Sequence, residues 1–107
     1  MTIDAKQFLA LGTAKRTTVV IEGAELTVRE LSVGDRSAVL AMRASDPGGV
    51  PALVVRLCAI NPDGTPMFTT AQDAAIAALR PAIIDAVAAA VMRLGGMMTD
   101  EDAEKKG

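Results

Sequence analysis

Leu57-Cys58-Ala59-Ile60-Asn61-Pro62-Asp63-Gly64-Thr65-Pro66-Met67-Phe68 is the stretch whose reading decides the fold. An apolar run ends in Asn61-Pro62-Asp63-Gly64, where each residue has turn chemistry of its own: Asn and Asp bond their own backbone, Pro sets φ and Gly supplies a positive φ. The run itself begins behind Pro51, which suits the first turn of a helix, and Ala52 to Ile60 is apolar except for Arg56. A buried strand competes here because of Val54-Val55. Leu53, Leu57 and Ile60 keep helical spacing, so the reading is a central helix over 51–60 with neighbours on several sides. Asn61, Asp63 and Thr65 alternate oxygen-bearing side chains as calcium loops do. A calcium loop would continue to a bidentate glutamate, however, and here Met67-Phe68 follows, so ordinary turn chemistry accounts for the segment.

Downstream, Thr70-x-x-Asp73 reads as a capping box opening a helix over 70–79, and Arg80-Pro81 breaks the pattern and restarts it. The last helix, 81–94, carries Ile84, Val87, Val91 and Leu94 as a core stripe. Ala82, Ala86, Ala89 and Ala90 leave its flanks thin, so another helix can approach closely. Gly95-Gly96 supplies its C-terminal cap, and 97–107 reads as a flexible, charged tail. Upstream, Ser32-x-x-Asp35 caps a helix over 32–45, in which Val33, Leu40 and Ala44 form the expected inner stripe and Arg36 and Arg43 the wet face. Residues 17–29 alternate around Gly23 as a β-hairpin, with Leu26 and Val28 on one face and Thr27 and Arg29 on the other. Asp4 to Leu11 is a short helix with Phe8 on its apolar stripe. The fold class is therefore α+β: one small, mainly helical domain spanning 1–96, with an N-terminal hairpin packed on a helical bundle.

Composition removes whole classes of function. Histidine, tyrosine and tryptophan are absent, so no imidazole serves as general base or metal ligand and an enzyme is not expected. Cys58 is the single cysteine, flanked by Leu57, Ala59 and Ile60, and reads as a small buried hydrophobe. Its solitude excludes an internal disulfide. Asp73, Asp85, Glu22 and Glu25 sit at caps, helix flanks and a turn, where structural roles suffice, and Gly48-Gly49 and Gly95-Gly96 lack the context of a phosphate loop. No metal or cofactor is expected. Eleven Lys and Arg against thirteen Asp and Glu, with two aromatics, leave no footprint for nucleic acid. Neither a signal peptide nor a membrane span is read, and a reducing cytoplasm is the expected compartment.

Val28-Arg29-Glu30-Leu31-Ser32 leading into a charged helix, then Leu57 to Phe68, then a capped helix and a last helix ending at Leu94-Gly95, resemble the small tail assembly chaperones of long-tailed bacteriophages. The resemblance runs from about Thr17 to Met97, with glycine at Gly95-Gly96 where relatives often have an asparagine first. It implies a non-catalytic protein of the host bacterial cytoplasm, absent from the mature virion, that binds the tape measure protein and helps recruit major tail tube subunits. It also implies that a ribosomal frameshift near the end of the gene adds a second domain to a minority of copies. Self-association is compatible with it. The surplus of apolar side chains around the last helix places the partner contact at Val87, Val91, Met92, Leu94, Met97 and Met98. Two other readings stay open from the residues: a virion component such as a head-tail connector or tail terminator, and a regulatory protein-binding module.

Overall fold

The computed structural model describes residues 2–12 and 14–95. Helix α1 (Ala5–Leu11) is closed at its start by Asp4, whose carboxylate accepts the Gln7 N–H while the Gln7 side chain accepts the Asp4 N–H. Strands β1 (Arg16–Ile21) and β2 (Ala24–Arg29) pair antiparallel in the register Val19↔Leu26 and Thr17↔Val28. Glu22 and Gly23 between them have φ of 50° and 84°. Two central residues at positive φ make a type I′ turn, whose twist matches the strands it joins.

Helix α2 (Val33–Ser45) starts as its sequence dictates, with the Ser32 hydroxyl accepting the Asp35 N–H and the Asp35 carboxylate accepting the Ser32 N–H. Its buried side is not the expected one. Val39 faces the core with Met42 partly covered, whereas Val33 is 84% and Leu40 60% exposed, and Ala44 is exposed as well. The stripe Val33, Leu40 and Ala44 is thus the outer face of α2, since the position of α3 fixes which side turns inward. A single 3-10 turn (Pro47–Gly49) leads into α3 (Val50–Cys58), whose Leu53, Val54, Val55 and Cys58 are all buried.

The helix expected to run to residue 60 stops at Cys58. Ala59–Ile60 form β3, pairing with β2 as Val28↔Ala59 and Thr27↔Ile60 in the sheet order β1-β2-β3. Val54 and Val55 are both helical, and the strand reading applies only to the last two residues. The turn beyond is closed by Asn61 N–H to Thr65 C=O (2.9 Å) and Met67 N–H to Ala59 C=O (3.1 Å). Within it the Asp63 carboxylate accepts both the N–H and the hydroxyl of Thr65 at 2.9 and 2.6 Å, and those bonds hold it below its ordinary pKa.

The helix expected over 70–79 is shorter and begins differently. Thr69, not Thr70, is the cap: its hydroxyl accepts the Ala71 N–H, and Gln72 accepts the Thr69 N–H at 2.7 Å. A 3-10 turn (Thr70–Gln72) precedes α4 (Asp73–Ala77), from which Ile76 alone is buried. Arg56 Nε of α3 lies 2.7 Å from the Asp73 carboxylate, an ion pair held off the line of a hydrogen bond, since that buried nitrogen has no hydrogen-bond partner. Helix α5 (Pro81–Leu94) then crosses α3 and lies over β1 and β2. The core is the layer between α5, α3 and the sheet: Val28, Val39, Val54, Cys58, Ile60, Val87 and Val91 are each 2% exposed or less.

One polar clamp fixes the layers together. Arg29, at the end of β2, donates to the Asp35 carboxylate at 2.8 Å, to the Glu30 carbonyl at 2.9 Å and to the Leu57 carbonyl at 2.8 Å. It joins the sheet, the start of α2 and the end of α3.

Candidate protein-docking surface

The α5 helix has two faces of different chemistry. Ile84, Val87 and Val91 point inward at the spacing that a helix buries, while Ala82, Asp85, Ala86 and Arg93 face outward. Val87 and Val91 are 2% and 1% exposed. A contact surface that includes them is therefore corrected: they are the floor of the core, and no partner reaches them without opening the fold. Met92 is half-buried against that core, and Leu94 is half-buried at the helix end. Met97 and Met98 lie outside the described residues.

What α5 does offer is a groove along its last turns. Ala90, Arg93 and Leu94 form one wall and Thr17, Thr18, Val19 and Val20 of β1 the other, with Lys15 at one end, around a volume of about 540 Å³. Strand β1 is one of the two outer strands of the sheet, and Thr17 to Val20 of it border this space. Val20 is 67% exposed there. The two cationic side chains, Lys15 and Arg93, form no ion pair among the described residues. The rim is fixed by the backbone: Lys15 N–H donates to the Glu30 carboxylate (2.9 Å), Glu30 N–H donates to the Lys15 carbonyl (3.0 Å), and Arg36 donates to the Gly95 carbonyl (3.3 Å). The groove is thus a trough of mixed lining between a helix and a strand, with Val19, Val20, Ala90 and Leu94 apolar, Thr17 and Thr18 polar, and positive charge from Lys15 and Arg93.

Sequence reasoning found the helix wall of this groove at Leu94 and missed the strand wall. Thr18 and Val20 alternate with the inward Val19 and Ile21, so their outward position was readable from period two. That α5 would lie beside them was not. Apolar side chains are also bare elsewhere: Phe8, Leu9 and Leu11 on α1 are 66%, 72% and 76% exposed, and α1 buries no residue at all.

The Cys58 thiol is fully buried and its desolvation pushes its pKa up to about 12, so it stays protonated and unreactive. Among the described residues no three His, Cys, Asp or Glu side chains gather as metal ligands, and no helix is long and apolar enough to cross a membrane.

No family model and no curated protein matches this chain in sequence. Among solved structures, the chain is similar to the bacteriophage HK97 tail assembly chaperone, with a TM-score of 0.65 at 13% identity. The match covers 84% of this chain and 98% of that one. At that identity the likeness concerns the fold, which is that of the HK97 chaperone along nearly its whole length.

Proposed function

We propose that this protein is a tail assembly chaperone: a non-catalytic binding protein that holds the tape measure protein and helps bring tail tube subunits to it. The observation that carries the reading is the structural match over 98% of the HK97 chaperone. It is supported by a surface that leaves Phe8, Leu9, Leu11, Val20, Val33 and Leu40 exposed, more large apolar side chains than a lone small domain needs. A long helical client is the partner that such a surface suits, because an apolar stripe on a client helix can lie in a trough of the β1/α5 kind. On this reading the contact uses Met92 and Leu94 together with Val20 and the residues beyond Gly95, and the protein works in the host cytoplasm and leaves before the virion is complete.

The test is co-expression of the full chain with the tape measure protein of the same phage or prophage. Co-purification is expected, with Val20→Glu and Leu94→Glu weakening it while circular dichroism of the variants stays native. Mass spectrometry of purified particles separates this function from that of a connector or terminator. A protein present in stoichiometric amount in finished tails is not an assembly chaperone.

A further inference from the structure

We infer that a second docking groove, at the opposite end of α5 from the first, takes a basic amphipathic helix of another protein. Two hollows of about 170 and 220 Å³ lie side by side between the start of α3 and the α4–α5 junction, and Gly49, Ala52 and Ala77 line both. Met42 and Leu53 add apolar lining to the first, and Pro51, Leu79, Pro81 and Ile84 to the second. Charge enters only with Arg56 and Asp73 in the first hollow and Asp85 in the second. Each hollow has room for one large apolar side chain, so the groove fits two anchors from a single partner segment. Leu79, 44% exposed, stands ready to cover them.

The backbone decides that the occupant is a helix. Pro51 and Pro81 have no N–H, and the amides of Gly49, Ala78 and Leu79 are already bonded to the carbonyls of Asp46, Ala74 and Ile76. Among the described residues no strand lines the groove, so an extended segment would find no ladder to join while its own amides and carbonyls lost water. A helix satisfies its own backbone and presents anchors three or four residues apart. Charge decides its sign. Arg56 is matched by Asp73 at 2.7 Å, and Arg80, beside two lining residues in sequence, is paired with Glu22 at the hairpin turn. Asp46 packs against Gly49 so closely that a Cβ there would lie 2.8 Å from its carboxylate. Asp46 and Asp85 are exposed and form no ion pair among the described residues. Lysine or arginine beside the apolar anchors answers these two carboxylates. The groove uses the Pro81 to Asp85 end of α5 and the first groove the Ala90 to Leu94 end, so the inference does not depend on what the first one receives.

The experiment titrates the full ¹⁵N-labelled chain with a synthetic, end-blocked peptide of about 18 residues, long enough to form a helix. Leucines at helical spacing make one face, and lysines and alanines fill the rest. Amide shifts are expected to centre on 48–52, 77–79 and 85, and the same peptide with glutamate for lysine should bind about tenfold more weakly. Asp46→Asn and Asp85→Asn should each weaken binding about two- to five-fold. Ala77→Met, at an exposed position, fills space common to both hollows and should weaken it about tenfold with circular dichroism unchanged. Leu79→Gln, also exposed, decides the matter if Ala77→Met disturbs the fold. Failure to bind at millimolar peptide overturns the proposal, as does equal binding of a peptide with its leucines scattered over all faces. Shifts centred on the β1/α5 groove or spread over the surface, or unchanged affinity in the natively folded groove variants, overturn it too. So do amides of 48–52 and 77–79 that move on dilution without peptide, because the occupant is then a second copy of this chain.

Discussion

Replacing Arg29 by Met tests whether the polar clamp holds the layers together. Methionine keeps the apolar stem packed and removes only the guanidinium, so the loss is confined to three bonds: to Asp35, to the Glu30 carbonyl and to the Leu57 carbonyl. Bonds to charged groups are worth about 1.5–3 kcal/mol each, but the Arg29 side chain is 27% exposed, and water can enter to satisfy part of what it leaves. The expected cost is about 2–3 kcal/mol, or a fall in Tm of roughly 10–20 °C for a chain of this size. Asp35→Asn should cost less, about 1 kcal/mol, because an amide still accepts from the Ser32 N–H. Urea melts of the two single variants and the double variant should give a coupling of about 1 kcal/mol.

The same clamp predicts an acid dependence. Burial of Asp35 works against its charge, but the Ser32 N–H, the Arg29 guanidinium and the Ser32 hydroxyl outweigh it and hold the carboxyl below its ordinary value of 3.8. A lowered native pKa stabilises the fold at pH above that ordinary value, and the contribution is lost as pH falls through the native one. Stability of the Arg29→Met variant should therefore fall less steeply in acid than that of the parent. An Arg29→Met cost below about 0.5 kcal/mol, the level of an ordinary surface substitution, together with parallel acid profiles, would refute the reasoning.

The caps, the short strand and the thiol give three further tests. Thr69→Ala should cost about 0.5–2 kcal/mol and Thr70→Ala less, since Thr69 holds the cap; urea melts in the opposite order would place the helix start one residue later. Ile60→Ala should cost about 2–5 kcal/mol, and Leu57→Ala, at a half-buried position, less, as measured by denaturant unfolding. The Cys58 thiol should react with an alkylating reagent at neutral pH only at the rate at which the protein unfolds, so alkylation that is fast in native buffer and insensitive to denaturant would contradict its burial.

The parts of the fold that a reader of the sequence finds are those that local chemistry fixes. Ser32 and Asp35 close a box between residues three apart, Gly23 sits in a two-residue turn, and Ile84, Val87 and Val91 repeat at helical spacing, so each is decided within one segment. What escapes is decided between segments. Ala59–Ile60 are as apolar as the helix they follow, and only the edge of β2 some thirty residues earlier makes them a strand. Val33, Leu40 and Ala44 form as regular a stripe as any in the chain, yet Val39 and Met42 face α3. Thr69 and Thr70 each have a capping partner three residues on, and the approach of the loop chooses between them. The β1/α5 groove escapes for the same reason, because its two walls lie about seventy residues apart in the chain.

The two-residue strand β3 has a consequence for the order in which the molecule assembles. Val28↔Ala59 closes a loop of about thirty residues, at an entropic cost of roughly 3 kcal/mol, and two ladder pairs cannot offset that alone. The pairing becomes favourable only when α2 and α3 already fill the loop and Cys58, Ala59 and Ile60 are driven out of water. The third strand should accordingly be the last main-chain contact to form in refolding. By reversal it should be the first main-chain contact to open, so that hydrogen exchange at the β3 amides reads a partial opening of lower free energy than the global unfolding of the domain.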